Sequence, residues 1–153
     1  MRKLILFLTV FVMIYNVAKS QQETQNDSRF EVGVGIGNPA IVNLNLLYHY
    51  KDFFVRSSGM YWGDLYGSQW DFGYKFYDKN SMYHGLSLNI GTYEFPANNT
   101  NLETGPEGKK WDFFGCSYIF SISGFYIQPG FSIGRGNNEN PSFLAAIGYN
   151  FKF

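Results

Sequence analysis

A single cysteine, Cys116, among 153 residues excludes an internal disulfide. Charge is sparse, at 16% of residues, and balanced at 12 basic against 12 acidic side chains. A chain with no basic excess carries no electrostatic footprint for nucleic acid. Histidine is scarce as well: His49 and His84 are the only two. The apolar run near the N-terminus, Leu4 to Val17, is shorter than the roughly 20 residues a membrane-spanning helix needs. It follows Arg2 and Lys3 and ends at Ala18-Lys19-Ser20, with small residues at the two positions a signal peptidase reads. Residues 1–20 are therefore expected to be a cleaved signal peptide, in preference to an uncleaved anchor. No cysteine follows the run, so a lipoprotein anchor is not expected. Without Arg2, Lys3 and Lys19 the remaining chain is slightly acidic.

What the chain does have is rings and glycine. Aromatics make up 20% of it, with 16 Phe, 12 Tyr and 17 Gly. A small exported domain without disulfides needs another source of stability, and a closed hydrogen-bonded barrel is one. Rings suit a lipid-facing wall, and glycine leaves room in a narrow lumen.

The C-terminal segment shows the pattern most clearly. Phe143, Ala145, Ile147, Tyr149, Phe151 and Phe153 fall on one face of an extended strand. Leu144, Ala146, Gly148, Asn150 and Lys152 fall on the other. Residues 21–29 are polar and expected to be disordered. Residues 30–153 are expected to form one domain of eight alternating segments: 30–37, 40–50, 53–62, 69–77, 82–94, 111–122, 125–134 and 143–153. Most approach the 9–11 residues with which a tilted strand crosses a bilayer. The connections after the second, fourth and sixth segments (Lys51-Asp52, Asp78 to Ser81, Ser123-Gly124) are short. Those after the third, fifth and seventh (Gly63 to Ser68, Pro96 to Lys110, Arg135 to Ser142) are longer. Short turns on one side and long loops on the other fit an outer-membrane barrel with periplasmic turns. The two-residue connection Asn38-Pro39 is the exception.

Facing the segments adds detail. Phe30, Tyr48, Tyr50, Phe53, Phe76, Phe125, Phe151 and Phe153 would form a periplasmic aromatic belt. Tyr61, Trp70, Phe114 and Phe143 would form an outer one, with Val34, Leu44, Leu46, Leu86, Leu88, Phe131 and Ile147 between them. The third segment is placed with Phe53, Val55 and Tyr61 outward, because this turns Arg56 inward, where a charge can be paired.

With its leader, eight dyad segments, turn and loop alternation and closing FLAAIGYNFKF, the chain resembles the small eight-stranded outer-membrane barrels, the class that includes the OmpA transmembrane domain. The resemblance covers about residues 30–153. It implies an all-β, eight-stranded antiparallel up-and-down transmembrane β-barrel in a bacterial outer membrane, in contact with its lipid and lipopolysaccharide. It also implies that Tyr149, Phe151 and Phe153 form the signal read by the barrel-assembly machinery. It fixes no activity, since one fold hosts many functions.

An eight-stranded barrel is wide enough only for its own side chains, so a general pore is not expected. The expected lumen set is Glu31, Asn43, Asn45, His49, Arg56, Asp71, Lys75, Gln128, Asn150 and Lys152. Closure makes the first and last segments neighbours, so Glu31 and Lys152 are expected to meet near the periplasmic end. A polar plug is preferred over a proton or ion path.

Pro129 removes a ladder hydrogen bond, and a bulge beside Gly130 is expected there in preference to a lateral opening toward lipid. The loop Pro96 to Lys110 is the candidate partner surface, with Asn98, Asn99, Glu103, Glu107, Lys109 and Lys110 as its contacts. Asp112, Glu103 and Glu107 could attract a divalent ion bridging lipopolysaccharide phosphates, and Lys109 and Lys110 could touch those phosphates. Their spacing does not make a metal site. Gly33, Gly35 and Gly37 alternate within a strand and are no phosphate loop, so no cofactor is expected.

Three functions remain in play. The first is a non-enzymatic membrane anchor or surface recognition scaffold. The second is a lipid A-modifying enzyme, a deacylase or a palmitoyltransferase. It needs a histidine beside a serine and an acid, yet His49 and His84 fall near the periplasmic side. The third is a soluble lipocalin-like binder with its apolar face turned inward.

Overall fold

The computed structural model describes residues 28–152, apart from 63–64, 80, 96–108 and 138–139. The described residues form eight strands: β1 (Ser28–Gly37), β2 (Ala40–Tyr50), β3 (Phe53–Trp62), β4 (Leu65–Lys79), β5 (Met82–Phe95), β6 (Lys109–Ile122), β7 (Phe125–Gly136) and β8 (Ser142–Lys152). Each pairs antiparallel with the next, and β1 pairs with β8 to close the barrel. Closure leaves no sheet edge, so every strand has a partner on both sides.

The registers fix the barrel's shape. Stepping round the ladder from Glu31 leads through Leu47, Arg56, Asp71, Asn89, Gly115 and Ser132 to Ser142. Glu31 itself pairs with Lys152, ten residues further along β8. With eight strands this stagger gives a tilt of roughly 40° and a backbone radius of about 8 Å. Each step from β1 toward β8 therefore climbs about 3 Å toward the end that carries the 96–108 connection. That end is called the loop end here, and the opposite one the terminal end.

Alternation sorts the side chains. Outward rings and aliphatics are strongly exposed, Phe53 at 60%, Leu88 at 54% and Phe131 at 61%, while inward Arg56 and Asp71 are at 2% and 0%. Phe53 and Tyr61 face out while Phe54 and Arg56 face in. Close packing inside needs glycine at particular points. A Cβ on Gly73 would sit 1.9 Å from the Phe54 ring, so that ring lies against bare backbone. Gly124, at φ +93°, turns β6 into β7, and its carbonyl accepts from Asn150 N at 2.8 Å.

Several boundaries differ from the sequence reading. Ser28 and Arg29, assigned to the disordered segment, open β1 opposite Tyr50 and His49. The loop expected over Gly63 to Ser68 is mostly strand, since Leu65 already pairs with Trp62 and Ser68 with Gly59. Small and polar residues there had read as loop, but a ladder accepts them. Lys109 and Lys110 likewise open β6, opposite Phe95 and Glu94. The bulge expected at Pro129 is absent. Ser117 pairs with Gly130 and Phe120 with Ile127, one register interrupted only over Tyr118/Ile119 and Gln128/Pro129. Proline leaves out a donor without adding a residue, and its β8 side stays continuous. The register shifts lie elsewhere, one in the β1–β2 ladder at Ile36/Gly37 and one in β4 between Lys75 and Tyr77, which turns both Phe76 and Tyr77 outward.

Candidate functional site: the lumen

Side chains fill the lumen in four tiers. The second from the loop end is polar and centred on a buried ion pair. Asp71 Oδ2 accepts from Arg56 Nε at 2.7 Å and from the same guanidinium's Nη2. Asp71 Oδ1 accepts from Gln69 Nε2 at 2.6 Å and Asn89 Nδ2 at 2.5 Å. Arg56 also donates to Gln128 Oε1 and stacks 4.9 Å from the Tyr126 ring centroid. Ser117 Oγ donates to Asn89 Oδ1 at 2.7 Å, and Asn45 Nδ2 to the Tyr126 hydroxyl at 2.7 Å. The network thus links β2 and β7, and braces β3 through β6 across the bore. Charges removed from water need such partners, and this pair has them on both sides.

Apolar clusters lie above and below. Leu47, Phe54, Tyr83 and Ile119 pack at the terminal end. Tyr93, Trp111, Phe113 and Leu144 pack at the loop end. Below the first cluster, Glu31 Oε1 lies 3.0 Å from Arg29 Nε and 3.4 Å from His49 Nε2, and Lys75 Nζ lies 2.5 Å from Asp78 Oδ2.

Glu31, Asn43, Asn45, His49, Arg56, Asp71, Lys75, Gln128 and Asn150 are all buried, whereas Lys152 is exposed at the terminal mouth. Glu31 and Lys152 stand opposite in the ladder, but the cation beside the Glu31 carboxylate is Arg29, with the His49 ring next to it. Sequence reasoning missed Gln69, Asn89 and Ser117, and the inward placement of Tyr83, Trp111, Phe113 and Tyr126. The inward parity of their strands was the signal for each.

Neither histidine assembles a triad. His49 sits among Glu31, Phe54 and Tyr83, with ring centroids 6.1 and 5.6 Å away. His84 lies on the outer wall among Phe76, Tyr77, Tyr118 and Phe120, bonded to the Tyr118 hydroxyl. Among the described residues the His49 ring nitrogens hydrogen-bond no serine, His84 Nδ1 is taken by Tyr118, and no three His, Cys, Asp or Glu side chains gather as metal ligands. Tyr149 and Phe151 are outward, with rings 5.0 Å apart. Phe153 and the loop residues Asn98, Asn99, Glu103 and Glu107 lie outside the described residues.

The architecture defines a closed eight-stranded antiparallel up-and-down barrel, polar within and apolar without. No protein-family model and no curated protein sequence matches the chain. Among solved structures it is similar to the N-terminal β-barrel domain of Pseudomonas aeruginosa OprF, at 13% identity and a TM-score of 0.44, covering 84% of this chain and 98% of that one.

Proposed function

We infer that this protein is an integral outer-membrane barrel that acts without catalysis, as a membrane anchor or a scaffold for its loops. One observation carries the reading: the barrel is turned inside out relative to a soluble one. A lipocalin-like binder would bury its rings around a cavity. Here Val34, Leu44, Leu86, Leu88 and Phe131 stand 46–61% exposed at mid-wall, a contiguous apolar band far larger than soluble monomers carry. Lipid satisfies such a band.

The terminal end then faces the periplasm and the loop end the exterior. Tyr50, Phe53, Phe76 and Phe151 mark one interface, and Tyr61, Phe114 and Phe143 the other. Two apolar tiers and the Arg56–Asp71 brace stand in the bore, which favours a plug over a pore. His49 is enclosed by Glu31, Phe54 and Tyr83 at the terminal end and His84 is bonded to Tyr118 on the wall, placements far from the outer leaflet that weigh against lipid A deacylation.

The test is cell fractionation with unheated gel electrophoresis in detergent. Recovery in outer membranes as a folded, fast-migrating band is expected. Recovery in the soluble periplasm would sink the reading.

A further inference from the structure

The outer wall between β4 and β7 carries a groove of about 980 Å³ that the lumen network does not use. Its lower flank is one ladder row, in which Trp70 stands opposite Ile90, Ile90 opposite Phe114, and Phe114 opposite Ile133. All four side chains point out and are 49–61% exposed. The next outward row, two residues toward the loop end, changes character completely. There Ser68 stands opposite Thr92, Thr92 opposite Asp112, and Asp112 opposite Arg135. Because the ladder climbs about 3 Å per strand, the groove rises roughly 14 Å from Trp70 to Arg135. It starts in the apolar wall and ends among charges.

The upper end is held in place. Asn140 accepts from Gly134 N at 2.9 Å through Oδ1 and donates to Gly134 O at 3.0 Å through Nδ2, which pins the backbone beside Arg135. Lys110 stands exposed one row higher, opposite Glu94.

We propose that this groove binds a phosphorylated glycolipid of the outer leaflet, with an acyl chain along Trp70, Ile90, Phe114 and Ile133 and a phosphate on Arg135. The proposal rests on the outer-membrane reading above. Its chemistry follows from the two rows. The lower one offers only hydrocarbon and ring surface. The upper one offers a guanidinium, whose forked donors match a phosphate, and a carboxylate opposite it for the divalent cation that accompanies a phosphomonoester. Ser68 and Thr92 add hydroxyls at the boundary. A second copy of this chain would have to remove Asp112 and Arg135 from water, which costs free energy unless each finds a partner. An amphiphile leaves both at the water interface.

The experiment uses the whole protein, folded in detergent micelles with Mg²⁺. Native mass spectrometry compares binding of bisphosphorylated lipid A, the same lipid A without its phosphates, and phosphatidylethanolamine. Wild type is expected to prefer the bisphosphorylated form by roughly tenfold, the scale of one charge-assisted contact. Arg135→Gln should remove the preference and Arg135→Lys should keep part of it. Phe114→Ala should weaken both lipid A forms alike. Equal binding of the three lipids by wild type would overturn the site, as would a preference that survives Arg135→Gln. A wild-type protein that stays soluble without detergent would overturn the membrane reading first, and this site with it.

Discussion

Arg56 and Asp71 face each other across the β3–β4 ladder, joined Nε to Oδ2 at 2.7 Å, with relative side-chain exposures of 2% and 0%. Neither has water to fall back on. Removing one partner leaves the other charge buried and unpaired, so Arg56→Met or Asp71→Leu alone should destabilise by about 3–5 kcal/mol. The double variant Arg56→Met/Asp71→Leu should recover part of that loss, the remainder reflecting the partners that Gln69, Asn89 and Gln128 lose. Urea unfolding in lipid vesicles reads it, and additive losses would contradict the account.

Gly73→Ala pushes a methyl into the Phe54 ring, whose nearest atom would be 1.9 Å away. Overpacking of this kind costs about 1–3 kcal/mol. Phe54→Leu in the same chain should relieve part of it. The coupling between the two substitutions, measured as a double-mutant cycle, is the readout. No coupling would mean that the backbone moves instead.

Depth on the wall should set the penalty for charge. Leu88→Arg at mid-wall is expected to cost about 2–4 kcal/mol in vesicles, and Tyr50→Arg near the terminal end only about 0–1 kcal/mol. Equal penalties, or none at Leu88, would place the wall in water.

Pro129→Ala restores an N–H beside the interrupted rungs at Tyr118 and Ile119. Slower amide exchange across the β6–β7 pair is expected, with a gain in stability of about 1 kcal/mol. Unchanged exchange would show that proline is not what interrupts the ladder.

Conduction gives a further check. Wild type in planar bilayers should show no steady conductance. Trp111→Ala with Phe113→Ala, which strips the loop-end tier, should stay closed because the Arg56 brace remains. A sustained ion current from that variant would shift the barrier to the rings.

The period of two made the wall legible in the sequence. Phe53 and Phe54 are adjacent and chemically alike, yet requiring an inward Arg56 assigned each correctly. Strand ends were less legible. Leu65 to Ser68 and Lys109-Lys110 carry no apolar alternation strong enough to mark them as strand, and only pairing with Trp62 to Gly59 and with Phe95-Glu94 does so. Pro129 posed a different difficulty. A missing donor can be met by a bulge or by skipped rungs, and the choice depends on β6, a neighbour invisible from local sequence. Gln69 and Asn89 share the inward parity of Asp71 and Ser87, but only the ladder sets both of them on the Asp71 carboxylate. The alternation from strand to strand limits what a single row can say about its partners.

The seam between the first and last strands has a bearing on how the chain reaches its native state. Asn38 and Ala145 exchange bonds there, Asn38 N to Ala145 O at 3.0 Å and Ala145 N to Asn38 Oδ1 at 3.1 Å, across 107 positions of sequence. Every rung outside this seam joins strands adjacent in sequence and can form locally, whereas the β1–β8 rungs, from Glu31–Lys152 to Gly37–Ala146, wait for both end strands. Loop-closure entropy falls on a single late event. Before that event β1 and β8 are open edges able to recruit a foreign strand. Folding speed and misassembly are thus both decided at one line of contact, where Asn38 acts as the clasp.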